Sequence, residues 1–176
     1  TKRDDANKRL STAWRLNQAK AVAHIGGMNA ALPMIEKVYK DNLNLLNAYS
    51  QIAWEVFMYE DMAYEKIIPY LEQDLNLSRL NGQWELVYAQ ALALVGRIGE
   101  AEHRVVSAYI NDPTLKNGFA RIGYTTYFLF NFEPGKALQW FVRDEQIERL
   151  YGEFIFHKST LLAAAGDVKS ATSIID

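Results

Sequence analysis

Residues 84–113 carry two helical patterns separated by a turn. Leu86, Val87, Leu92 and Leu94 lead into Gly96-Arg97-Ile98-Gly99, and Ala101, Val105, Ala108 and Tyr109 follow before Asn111-Asp112-Pro113. Spacings of three and four give each helix one apolar face, glycine ends the first helix, and proline lies beyond the second. The order small, bulky, Gly, bulky, Ala, bulky then recurs. It reads Ala89, Leu92, Gly96, Ile98, Ala101, Val105 here, Ser159, Leu162, Gly166, Val168, Ala171, Ile175 near the end, and Ala19, Val22, Gly26, Met28, Ala31, Ile35 near the start. Weaker copies surround Trp54, Ala63 and Ile67, and Tyr124, Phe128, Ala137 and Phe141, with Met58 and Phe132 standing where the turn glycine is expected. A helical hairpin cannot bury its apolar face alone, so recurrence of this unit predicts a stack in which each copy relies on its neighbours.

The pattern resembles the tetratricopeptide repeat, a helix-turn-helix unit of about 34 residues. Residues 82–115 agree with it at Ala89, Leu92, Gly96, Ile98, Ala101, Val105, Ala108 and Pro113. The resemblance implies an all-α fold, an α-α superhelix of about five tetratricopeptide-like units over residues 12–45, 44–77, 82–115, 118–151 and 152–176, the last one truncated. Residues 1–176 are read as a single helical-repeat domain and as a piece of a longer protein, because both ends look cut.

The family's typical role is a non-catalytic scaffold or adaptor, as in co-chaperones and in bacterial secretion, pilus or exopolysaccharide assembly machines. Its geometry puts Lys20, Ala48, Ile52, Leu86, Gln90, Phe119, Ile122, Thr126, Phe130 and Phe156 on a concave groove that takes a partner helix or peptide. This apolar wall has two further readings: the chain's next repeat or a second copy fills the groove, or tight winding makes these residues core. Family members that clamp a carboxy-terminal EEVD-type peptide place Lys, Asn and Arg at the wall positions. Here only Lys20 fits, so no such clamp is expected. A ligand-sensing regulatory domain, and the helical support of an envelope enzyme whose catalytic module lies elsewhere, are the alternative functions.

Composition narrows the chemistry. With 19 basic and 21 acidic residues there is no global basic field for nucleic acid. Zero cysteines exclude disulfides and thiolate zinc sites. No apolar run approaches the roughly 18 residues of a membrane span. The three histidines show no metal-ligand spacing, and no phosphate-binding or hydrolase motif occurs, so no catalytic, cofactor or metal site is assigned. Gly96-Arg97-Ile98-Gly99 has the spacing of a nucleic-acid-clamping GxxG loop, but its flanks read as helices. Residues 1–40 carry a net +5 and residues 41–88 a net −6, which reads either as steering of a charged partner or as two faces complementing each other. Localisation is left open.

Prolines test the helix assignments. Pro134 suits a first helical turn, Pro33 is tolerable if Asn29 is the N-cap, Pro113 falls outside any helix, and Pro69 should bend its helix. Thr125 to Phe132 is rich in β-formers, yet its place in the repeat predicts helix.

Overall fold

The computed structural model describes residues 11–60 and 62–174. It is all-helical, with no strand among the described residues, and its contacts cluster into two compact units that part between Asn81 and Gly82. Ile175, the last residue of the third strong copy, lies outside the described residues, as do the charged residues before Ser11.

The first unit holds α1 (Thr12–Gly26), α2 (Met28–Asp41), α3 (Ala48–Glu60) and α4 (Tyr64–Asn76). Each helix packs on the next, and α1 also touches α3. Ala19 and Ala31 are fully buried, so two helix backbones approach closely there, while Ile35, Ile67 and Leu71 fill the space beside them. Burying one such aliphatic side chain stabilises the fold by about 1.5–3 kcal/mol. Ser11 caps α1, its hydroxyl accepting the Trp14 N–H at 3.3 Å.

The second unit holds α5 (Gly82–Leu94), α6 (Ile98–Asn111), α7 (Gly118–Ile122), a π-helical segment (Gly123–Leu129) continuing α7, α8 (Pro134–Gln146), α9 (Glu153–Ala164) and α10 (Val168–Thr172). Ala89, Leu92, Ala101 and Val105 are all fully buried. Ser159 takes the place of a small apolar residue, and its buried hydroxyl is satisfied by donating to the Ala171 carbonyl at 2.8 Å.

One hydrogen-bonded latch occurs in both units, 70 positions apart. In the first, the Tyr39 hydroxyl on α2 donates to buried Asp74 at the end of α4 and accepts the Ala48 N–H at 2.6 Å. Asp74 in turn accepts the Ser50 N–H at 2.8 Å, so a carboxylate remote in sequence caps the start of α3. In the second, Tyr109 donates to Asp144 at 2.5 Å and accepts the Gly118 N–H, and Asp144 accepts the Ala120 N–H at 2.7 Å. Arg79 and Arg149 lie over the two tyrosine rings, 4.4 and 4.2 Å from their centroids, and donate to the carbonyls of Leu45 and Leu115. Asn47 and Asn117 both adopt a left-handed backbone, at φ 59° and 61°. The latch thus repeats every second helix pair.

Several expectations need correction. Gly26 ends α1 as its place in the repeat implies, and its neighbour Gly27 takes the positive φ of the turn. Gly27 also precedes α2, whose second residue is Asn29, so Asn29 is not the cap. Met58 lies inside α3, and the left-handed residue after it is Met62. Gly96 and Gly166 do turn the chain, at φ 84° and 91°, each closing its helix with two capping bonds such as Arg97 N–H to the Leu92 carbonyl at 2.8 Å. Pro134 opens α8, whereas Pro33 and Pro69 both sit sixth in helices that continue past them.

Candidate partner-binding surface

The ten expected groove residues separate into two groups. Ala48, Ile52, Leu86, Phe119 and Ile122 are buried core, from 0% to 6% exposed. This corrects their assignment to the groove, since a side chain without free surface has nothing to offer a partner. Their position numbers were carried from the family, while here the neighbouring helices pack over them. Lys20 is half-buried and bonds Glu55 at 2.5 Å, joining α1 to α3. The basic start and acidic continuation of the chain therefore complement each other at this contact, a partly exposed pair worth on the order of 1 kcal/mol. Gln90 on α5 is half-buried, as is Thr126. Phe130 and Phe156 are 57% and 60% exposed.

Phe130 belongs to a local departure from the first unit. Residues 48–60 form α-helix throughout, whereas the equivalent stretch turns π-helical at Gly123. The cause lies in the residues. A Cβ on Gly123 would stand 2.5 Å from the Trp140 Cβ and 2.8 Å from the Ala137 carbonyl oxygen, so only glycine lets α8 press against the α7 backbone. Thr125 then donates its hydroxyl to the Arg121 carbonyl at 2.8 Å, competing with the backbone N–H that an α-helix would aim there. At the far end the Asn131 amide donates to the Thr126 carbonyl at 2.7 Å.

The segment finishes on a strained residue. Phe132 has φ 51°, a conformation bulky side chains avoid at a cost of about 1–3 kcal/mol. Two bonds hold it, Phe132 N–H to the Phe128 carbonyl at 3.0 Å and Glu133 N–H to the Tyr127 carbonyl at 2.6 Å. The result is an apolar tip. Leu129, Phe130 and Phe132 are 58%, 57% and 70% exposed.

The tip is anchored to the core by rings. Phe132 stacks on Phe128 with centroids 5.4 Å apart, Phe128 meets Tyr124 at 5.4 Å, and Tyr124 stacks on His157 of α9 at 4.1 Å. Tyr124 and Phe128 also pack on the cluster formed by Ala120, Ala137, Phe141, Phe154 and Leu161. The Phe132 ring is therefore held by a neighbour and loses little freedom on binding. At the start of the same helix, in α7, burial pushes the half-buried Arg121 guanidinium below the usual arginine range, the charges of Glu153 and Tyr109 opposing it. The Arg121 Nε and the Thr126 Oγ1 are buried without a hydrogen-bond partner among the described residues.

Sequence reading found Phe130 and Phe156 but missed Phe132 as a surface residue, treating it as a lost turn glycine. The available signal was the run Tyr127-Phe128-Leu129-Phe130, too apolar for one helix to bury on one face. Among the described residues, no group of three or more His, Asp or Glu side chains is placed to hold a metal ion, and no helix is long and apolar enough to cross a membrane. Comparison of the chain with protein-family models, with curated proteins and with solved structures returns no match.

Proposed function

We propose that this chain is a non-catalytic interaction domain of tetratricopeptide-like helix pairs, arranged as an α-α superhelix, and that it binds another protein through the aromatic surface around Phe130 and Phe132. The observation that carries the reading is the apolar tip itself. Three large apolar side chains stand in solvent at the end of a π-helical segment, where the equivalent stretch of the first unit is α-helix. Met62 adopts the same left-handed conformation 70 positions earlier, at φ 49° against 51°, so that backbone belongs to the repeat and it is the exposed side chains that single out the tip. Rigid aromatic side chains are the residue type that most often anchors a protein interface. Phe156 and Tyr151, exposed at the start of α9 and just before it, extend the same chemistry within the second unit.

The fold resemblance supplies the partner's class, a helix or peptide of another protein, with a second copy of the chain as a competing occupant. The test is retention of a partner by the intact chain and by Phe130→Ser combined with Phe132→Ser. Loss of two aromatic anchors should weaken retention by at least about tenfold. The unfolding midpoint should fall only slightly, because more than half of each side chain is already solvated and the Phe132–Phe128 stack is the one ring contact removed that is described above. Undiminished retention would rule out this surface.

A further inference from the structure

A separate site lies in the first unit. Helices α2 and α4 flank an open cleft of about 690 Å³ whose inner wall includes Tyr39 and Tyr49. That volume falls within the range of sites that take small molecules or short peptide segments. Its charges are ordered along the helices. Glu36 on α2 and Glu72 on α4 face the cleft first, Lys40 and Asn76 follow one turn later, and Leu43 and Leu77, both exposed, close the end. Arg79 is fixed at that same end by the Tyr39 ring and the carbonyls of Asn42 and Leu45. An acidic level is thus followed by Lys40 and then by a level where the exposed side chains of Leu43 and Leu77 stand beside Arg79, whose guanidinium is already engaged by the Tyr39 ring and two carbonyls.

The second unit acts as an internal control. It keeps the tyrosine, asparagine, aspartate and arginine of the latch at the same 70-residue offset. At the cleft positions it has Val106 for Glu36, Ile110 for Lys40, Val142 for Glu72 and Ile147 for Leu77. The fold therefore does not need the charges of the first cleft. In addition, Arg143 stands where the first unit has Gln73, lying 3.9 Å from the Phe119 ring centroid and pairing with Glu102 at 2.9 Å.

We propose that the cleft between α2 and α4 binds an extended peptide segment of a partner protein, with a basic side chain at the level of Glu36 and an acidic one two residues further along at Lys40. The spacing follows from helix and strand geometry. Glu36 and Lys40 are four residues apart on a helix, about 6 Å along its axis. Alternate residues of an extended chain point the same way and are separated by about 6.6 Å. A third side chain on that face, two residues beyond the acid, meets Leu43 and Leu77 and is apolar. The recognised pattern is basic, any, acidic, any, apolar.

The probe is the peptide acetyl-Ala-Arg-Ala-Glu-Ala-Leu-amide, titrated into the full chain with amide and side-chain chemical shifts as the readout. Shifts should centre on Glu36, Lys40, Gln73 and Asn76, and the peptide with Gln in place of both charged residues should bind at least about tenfold more weakly. Glu36→Val with Lys40→Ile, which copies the second unit, should abolish binding without moving the unfolding midpoint. Should that pair lower the midpoint, the single change Glu36→Gln separates the cases in its place, weakening binding of the charged peptide and leaving the neutral one unaffected. Equal binding of charged and neutral peptides, shifts centred elsewhere, or no saturation at millimolar peptide would overturn the proposal. Binding that emerges only after residues 1–10 are deleted would overturn it as well, identifying the chain's own amino-terminal segment as the occupant. None of these outcomes depends on the aromatic surface of the second unit.

Discussion

The Tyr109 hydroxyl stands between two groups far apart in sequence, donating to Asp144 at 2.5 Å and accepting the Gly118 N–H at 2.5 Å. It ties the end of α6 to the start of α7 and the end of α8. Tyr109→Phe removes both bonds and leaves a buried carboxylate and a buried N–H each short of a partner. The expected loss is about 1–3 kcal/mol, seen as a lower urea midpoint. Tyr39→Phe should cost a similar amount, since Tyr39 makes the same two bonds in the first unit. A negligible effect at both positions would mean that the latch contributes nothing.

Stability should also depend on pH through the two buried aspartates. Burial pushes the carboxyls of Asp74 and Asp144 above the ordinary range, with hydrogen bonds from Ser50 and Tyr39, and from Tyr109 and the Ala120 and Phe119 amides, pulling the other way. A carboxyl whose folded value is raised holds its proton more tightly in the folded chain. Its contribution is fully present below the unfolded value, about 3.9, and is lost as pH rises through the folded value. Between about pH 4 and neutrality the unaltered chain should therefore lose stability relative to Asp144→Asn, which cannot ionise. Urea midpoints across that interval decide it. A gain relative to Asp144→Asn as pH rises would mean that the hydrogen bonds outweigh burial.

Gly123 offers a contest between two effects of opposite sign. Replacing a helical glycine by alanine is normally favourable by about 0.8–1 kcal/mol. Here the new Cβ meets the Trp140 Cβ and a backbone oxygen well inside contact distance, and neither can move without shifting α8. Overpacking of that kind costs about 1–3 kcal/mol, so Gly123→Ala should destabilise on balance. A raised melting temperature would show that α8 yields easily.

What was legible in the chain depended on how local its cause is. Gly96, Gly166 and Ala101 mark a turn or a close crossing through their own backbone freedom or small size, and they were readable one residue at a time. The latch was not, because Tyr39 and Asp74 are 35 positions apart and neither residue type is unusual where it stands. A period of 70 exposes it, since Tyr39, Asn47, Asp74 and Arg79 recur as Tyr109, Asn117, Asp144 and Arg149. A period near 34 averages two kinds of helix pair and blurs both. Burial of Ile52 and Ile122 is decided by how closely neighbouring helices pack, which position in a repeat does not encode. The π-helical segment arises from a tertiary contact, the approach of Trp140 to Gly123, combined with the Thr125 hydroxyl. Its helical character was readable and its hydrogen-bond register was not.

The most direct test of the functional reading is site-specific photocrosslinking in the full chain, with benzoylphenylalanine placed either at Phe130 or at Ile110. Both positions are exposed, Ile110 at 74%, and both are apolar, so the two probes differ in place and not in chemistry. Irradiation in the presence of retained partner should give a defined adduct from position 130 and little from position 110. Adducts from position 110 with none from position 130 would contradict the account and move the partner to the outer face of α6.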